Sequence, residues 1–347
     1  MKVRTTLRRL ADAHIGATAL VLIYHRVARL DRDPQLLAVR PENFEAQMRF
    51  LAEEYRPLAL SDLLDGLSRK RVPDKGVVVT FDDGYADNLL AAAPILDRNG
   101  IPATVFVSSG YIESGREFWW DEIERIVLGS APLPETIEIE ASGARFATML
   151  TVDAVAAIGS DAPEDRWDIT QVPRNGREKL YAELCAFVRP LDASTREKVL
   201  SQLRALAGEP AAPAPARESH RPLTAVETAQ LDSSALIAVG GHTMTHQVLA
   251  HRTSGEQRAE IANDRARLTA LLGHDPLTFS YPYGSLDDYT DATVALVRDI
   301  GYAGACSNHP GVVKHHTDPY RLPRQLVRDW DVATFAAHLE GWFGGRR

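Results

Sequence analysis

Apolar residues fall along this chain in two rhythms: short continuous runs, and longer segments with three- and four-residue spacing. ALVLIYH, Ala19 to His25, is a continuous run that predicts a strand buried on both faces. PENFEAQMRFLAEEY follows, with Phe44, Met48 and Leu51 at helical spacing. GVVVTFDDG is the next predicted strand, and ADNLLAAAPILDRNG a helix that Gly100 stops and Pro94 is placed to kink or split. IPATVFVSSG is a third strand, so the order is strand, helix, strand, which predicts parallel pairing with right-handed crossovers.

From about Trp119 to Pro222 the rhythm changes. ETIEIEASGARFATML alternates like a hairpin with a Ser-Gly turn, NGREKLYAELCAFVRPL is helical, and GEPAAPAPARESHRP is a Pro/Ala-rich surface loop. This stretch, about 119–222, reads as an insertion within a single domain spanning 1–347. Regular order then returns. Thr224 and Glu227 stand at capping-box spacing, ALIAVGGH is a strand, and EQRAEIANDRARLTALLG is a helix closed by Gly273. PLTFSYPYG, DATVALVRDIG, YAGACS and DVATFAAHLEGWF continue as strand, helix, strand, helix. The fold class is therefore α/β, one sheet or barrel, with function expected at the carboxyl ends of the strands.

Composition narrows the function. The 347 residues are 45% hydrophobic and 25% charged, an ordinary globular balance, and the net charge of -8 argues against a nucleic-acid binder. Cys185 and Cys306 form neither a metal-type pair nor a disulfide framework, which fits a reducing compartment. The basic, then apolar N-terminus reads as a helix start and a buried strand instead of a signal peptide, so a cytoplasmic location is expected, with peripheral association with a polysaccharide synthesis complex as a further option. No run approaches the roughly 18 apolar residues of a membrane span.

Three strands end in polar clusters: Asp82-Asp83, GGHTMTH and SYPYG. Two adjacent carboxylates at the end of a buried strand are the puzzle. On extended backbone they point opposite ways, but where the chain turns both can reach one pocket, one binding metal and the other taking a proton. Capping of the following helix is the plainer role for Asp83, and it does not explain why two are needed. His242 and His246 stand four apart. If the segment after Val239 turns into a helix, both imidazoles lie on one face, good spacing for two nitrogen ligands that a carboxylate from another strand end would complete.

TFDDGYADN, HTMTH and YPYG, in this order, resemble the motifs of the polysaccharide deacetylase family, carbohydrate esterase family 4 with its NodB homology domain. The resemblance covers residues 17 to 110 and 232 to 340. It implies a distorted (β/α) barrel of about seven strands and a metal-dependent hydrolase that removes N-acetyl groups from an N-acetylated carbohydrate. It also implies roles: Asp82 as general base, Asp83, His242 and His246 as ligands of a divalent ion (usually zinc, with cobalt or nickel able to serve), and the Tyr283 backbone N–H in the oxyanion hole.

Two departures from the family pattern matter. Its third motif begins with Arg, where this chain has Ser280; Arg324, in YRLPRQLV, is the candidate replacement that would orient Asp82, against a plain surface arginine. The late L-x-H segment that carries the general acid is missing. LIYHRV instead resembles the Y-H-x-[VI] segment of the exopolysaccharide (poly-N-acetylglucosamine type) deacetylases, which assigns the acid to His25, against a core histidine. His338 is the fallback, inside an amphipathic helix, while His309 and His220 lie in loops without a case of their own. Tyr85, Trp119, Trp120 and Pro282 are assigned to substrate contact, with anchoring of the insertion as the other role of at least one tryptophan. Asp87 and Asn88 are expected at the helix start. The alternatives kept are the same chemistry on a non-sugar amide, N-formyl or O-acetyl group, and a catalytically inactive carbohydrate-binding relative. The sugar, the native metal and the oligomeric state stay open.

Overall fold

The computed structural model describes residues 18–150 and 166–344. The helix start expected ahead of Ala19 lies outside the described residues. The chain divides into two compact units, one of Met1–Arg29, Leu37–Ile112 and Leu223–Arg347, the other of Leu30–Leu36 and Glu113–Pro222.

The first unit is built on a parallel sheet. Its strands are β1 (Ala19–Tyr24), β2 (Arg56–Pro57), β3 (Gly76–Phe81), β4 (Ala103–Val107), β5 (Ile237–Gly241), β6 (Thr278–Ser280), β7 (Gly304–Cys306) and β8 (Gln325–Leu326). Their order is β7-β6-β5-β4-β3-β1-β8, with β2 paired to the start of β3, and every pairing is parallel. A parallel bridge between Cys306 and Leu322 joins the segment before β8 to β7, so the curled sheet's two edges meet. This is the distorted (β/α) barrel, with seven strands along the path.

The unbroken apolar runs follow from burial on both faces. Leu20, Leu22 and Tyr24 of β1 and Val77, Val79 and Phe81 of β3 pack outward with Phe44, Met48 and Leu51 of α1 (Pro41–Glu54). The alternate residues, Ala19, Val21 and Val78, pack inward with Phe106, Cys306 and Leu322. Higher on that inward face Thr80 and Asp82 follow Val78 at two-residue spacing, so the barrel interior changes from apolar to polar towards the strand ends.

Helix α2 (Leu60–Ser68), not expected from the sequence, lies between β2 and β3, and the later connecting helices follow their signals. The expected helix after β3 is split: a π turn over Asn88–Ala92 precedes α3 (Ala93–Asn99), whose first turn carries Pro94 and whose C-cap Gly100 is left-handed at φ 64°. Thr224 caps α4 (Ala225–Asp232) and Thr253 caps α5 (Ser254–Leu272), each in a capping box. Helices α6 (Asp291–Ile300) and α7 (Val332–Phe343) complete the unit.

The second unit contains the predicted hairpin, Thr136–Ala141 with Ala144–Met149, and helices Trp119–Val127, Gly176–Val188 and Ala193–Leu206. The first and third of these helices were not expected from the sequence. Ion pairs hold the unit: a buried one from Arg204 to Glu122 at 2.6 Å, and half-buried ones from Arg217 to Glu117 and Glu124 at 2.7 Å each. Among the described residues no helix is long and apolar enough to cross a membrane.

Candidate active site

The ends of β3, β5 and β6 and the segment before β8 bring the polar residues together. Asp82 remains in the ladder, its N–H donating to the Tyr24 carbonyl, and its side chain continues the inward face of Thr80. Asp83 then takes φ 75° and Gly84 φ 85°. Two successive left-handed residues turn the chain sharply, and both carboxylates reach one buried pocket instead of opposite faces. A non-glycine residue held this way costs on the order of 1–3 kcal/mol, strain of the kind stored at functional sites.

Arg324 meets Asp82 from below. It is 1% exposed, and its two terminal nitrogens donate to the two carboxylate oxygens at 2.7 Å each. Its Nε donates to the Ser307 carbonyl at 2.7 Å, and further bonds reach Thr80 Oγ1 and Ser280 Oγ. Arg324 is therefore not a surface arginine. Ser280 adds a hydroxyl donated to Asp82 Oδ2 at 3.1 Å, so the position that departs from the family pattern touches the same carboxylate. Burial pushes the Asp82 carboxyl up, and Arg324 together with His242 overcomes it, leaving the group below its ordinary value.

Asp83 lies with the histidines. Its Oδ1 is 3.6 Å from His242 Nε2 and 3.3 Å from His246 Nε2, and the three ligand atoms lie within 4.8 Å of one another. Burial pushes Asp83 up, and its interactions with the two histidines hold it far below the usual carboxylate range. The segment does not turn into a helix: β5 ends at Gly241, and the following loop has Thr243 at φ 66° and His246 at φ 51°. The two imidazoles still converge, with ring centroids 4.9 Å apart.

The donor set fits a divalent ion. His242 Nδ1 lies 2.7 Å from the Ser280 carbonyl, which can only accept, so Nδ1 carries a proton and Nε2 of the neutral ring offers its lone pair to the pocket. Nε2 is buried and makes no hydrogen bond among the described residues. An ion with bonds of about 2.0–2.1 Å sets tetrahedral ligand atoms roughly 3.3–3.4 Å apart, close to the observed separations of 3.3 and 3.6 Å.

His25 follows β1 at the same end of the sheet and is half-buried. Burial lowers its pKa, while the charges of Asp83 and Asp82 oppose that fall. Its carbonyl accepts from Asn88 Nδ2 at 2.9 Å, and Asp87 bonds both the Arg26 guanidinium and the Val27 N–H. Asp87 and Asn88 thus fasten the segment around His25, a role that their expected place at a helix start concealed. Tyr283 stands at φ 61° with its ring 4.6 Å from that of His246.

The substrate-contact assignments fare differently. Tyr85 is fully buried, with the Arg26 guanidinium 4.1 Å over its ring, so it is a core residue with no free face for a sugar. Pro282 is buried too, its carbonyl accepting from the Gly284 N–H. In the second unit Trp119 and Trp120 are 4% and 5% exposed. Phe118 stacks on Trp120, and Arg196 covers Trp119. That is an anchoring arrangement, and it corrects the expectation of sugar-stacking rings. His338 stacks on Trp330, and His309 bonds Ser307.

The sequence model of the polysaccharide deacetylase family matches residues 69–130 and 224–305, which contain Asp82, Asp83, His242, His246 and the YPYG segment. The chain carries a polysaccharide deacetylase domain. It is 35% identical over 89 residues, 25% of this chain, to YxkH of Bacillus subtilis, which bears the family name. That match spans 30% of the relative's length. The fold is similar to that of the Streptococcus pyogenes deacetylase PplD, solved in complex with acetate, with a TM-score of 0.57 and 16% identity over 93% of this chain and 99% of that one. It is likewise similar to IcaB from Ammonifex degensii, with a TM-score of 0.54 and 18% identity over 94% of this chain and 97% of that one.

Proposed function

We propose that this polysaccharide deacetylase domain is a metal-dependent hydrolase that removes the N-acetyl group from an N-acetylated amino sugar, releasing acetate and a free amine. One observation carries the reading: a buried carboxylate, Asp82, gripped by Arg324 directly beside the Asp83, His242 and His246 cluster. A divalent ion, when bound, supplies Lewis-acid polarisation of the acyl carbonyl and of a water molecule.

The chain's own residues divide the remaining work. Asp83, His242 and His246 hold the ion. Asp82, kept ionised by Arg324, accepts the proton released as water attacks the carbonyl carbon. The Tyr283 N–H is assigned to the oxygen that gains negative charge. His25, in its protonated form, gives a proton to the amide nitrogen as the C–N bond breaks, so the amine leaves neutral and the acyl group leaves as acetic acid, which ionises to acetate in water.

The test is acetate release from a panel of N-acetylglucosamine oligomers and activated precursors, using protein stripped of metal and then reloaded with zinc or cobalt. Release that depends on the metal supports the reading and begins to name the sugar. No release from any of them, with metal bound, would shift the reading to a non-sugar amide, N-formyl or O-acetyl substrate. No metal binding and no turnover would favour an inactive carbohydrate-binding relative.

A further inference from the structure

The loop that carries both histidines lacks the support its spacing suggests. The N–H groups in the first turn of a helix find no carbonyl in their own ladder, and here the segment after β5 is irregular and holds two non-glycine residues in left-handed conformation, so its N–H groups need partners from elsewhere. Its N–H groups are collected instead by α5. Asp264, fully buried, accepts on Oδ2 at 3.1 Å the His242 N–H, which is shared with the Val107 carbonyl at 3.2 Å, and on Oδ1 at 3.1 Å the Ser109 N–H. One turn earlier, the Glu260 carbonyl accepts the Met244 N–H at 3.2 Å. The Glu260 carboxylate accepts the Thr245 N–H at 2.9 Å, the Thr245 hydroxyl at 2.8 Å and the Gln247 amide at 2.8 Å. The His246 N–H donates to Thr243 Oγ1.

We infer that Glu260 and Asp264 are positioning residues that hold His242 and His246 in their ligating arrangement, an inference that rests on the metal-site reading above. The two side chains stand on one face of α5, four residues apart, and accept N–H groups of the loop that have no regular ladder of their own. Close approach is built in on the other side. A Cβ at Gly241 would come 2.7 Å from Asp264 Oδ2 and 2.2 Å from the Tyr302 hydroxyl, and one at Gly110 would come 2.2 Å from the Met244 carbonyl. Glycine at both places lets the helix carboxylate and the turn after β4 press directly on the loop backbone.

The test uses Glu260→Gln, Glu260→Ala and Asp264→Asn in the whole chain, with Glu256→Ala as a control that breaks the α5 capping box without touching the loop. Zinc affinity is measured by competition, coordination by the visible absorption of the cobalt-loaded protein, and folding by thermal melting without metal. The expected result is a loss of zinc affinity of about 10- to 100-fold in Glu260→Ala and Asp264→Asn, as for other residues that orient ligands, with an altered cobalt spectrum. Glu260→Gln retains length and one acceptor, so its loss is smaller than that of Glu260→Ala, while Glu256→Ala melts earlier and binds zinc normally. Should Asp264→Asn fail to fold, the Glu260 pair decides. Folded Glu260 and Asp264 variants with wild-type affinity and spectrum would overturn this inference alone. Wild-type protein that binds metal no better than Asp83→Ala would overturn the metal-site reading, and this inference with it.

Discussion

Arg324 and Asp82, 242 positions apart in the chain, meet in two parallel hydrogen bonds of 2.7 Å inside the barrel. Bidentate guanidinium–carboxylate pairs are among the strongest side-chain contacts because both partners are planar and charged. Here the pair lies on the inward face, with the guanidinium anchored to the Ser307 carbonyl and Thr80 and the carboxylate also holding Ser280. The geometry aims one carboxylate and fixes its charge.

Arg324→Lys should lower kcat by about 100-fold, because an ammonium cannot reproduce the fork. The Asp82 carboxyl, released from part of its restraint, should titrate at higher pH, moving the acid limb of the rate profile upward. Arg324→Ala should be worse in a second way, since stranding a buried carboxylate costs about 3–5 kcal/mol of stability. A kcat and pH profile unchanged in the folded lysine variant would reduce Arg324 to a structural residue.

Asp82→Asn should abolish turnover and leave metal binding in place, because in the proposed site Asp83 and the two histidines, not Asp82, supply the ligand atoms. Metal content after dialysis checks this directly. If the variant loses its metal, the roles assigned to the two aspartates are reversed.

His25→Ala should cut turnover steeply while the melting temperature changes by only a few degrees, since the ring is half-buried and the segment is held through its backbone by Asn88. Asn88→Ala should weaken turnover less, through loss of that hold. A near wild-type rate in His25→Ala would move the proton donor elsewhere.

His274 tests the electrostatics at a distance from the chemistry. Its Nε2 lies 2.7 Å from Asp232 Oδ2, and that hydrogen bond raises its pKa above the ordinary imidazole value. A raised folded-state pKa contributes stability that is present below about pH 6.5, the unfolded value, and is lost as pH rises through the folded value. The side chain is 59% exposed, so the contribution is screened to well under about 1 kcal/mol. Wild type should exceed His274→Gln in urea midpoint at pH 5.5, and the gap should close at pH 8.5; a gap independent of pH would refute the assignment.

What the sequence determined by itself was whatever is written locally. Apolar runs and helical spacing located the strands and most helices, because burial on one or two faces imposes its period on the residues. Thr224 with Glu227, Gly100 and Gly273 marked helix ends through capping chemistry that acts over a few residues. Asp82, Asp83, His242 and His246 were legible because each follows a recognisable strand. Tertiary structure decided the rest. The loop shape at His242–His246 depends on carboxylates of α5, and no spacing rule within HTMTH contains them. The partner of Asp82 comes from the segment leading into β8, a strand paired on the far side of β1. Tyr85, Trp119 and Trp120 read as sugar contacts because aromatic residues suit either a groove or a core, and only packing distinguishes the two. Local chemistry thus named the candidate groups. Which of them face one another was settled by the closing of the sheet, since parallel strands bring distant segments to a common end.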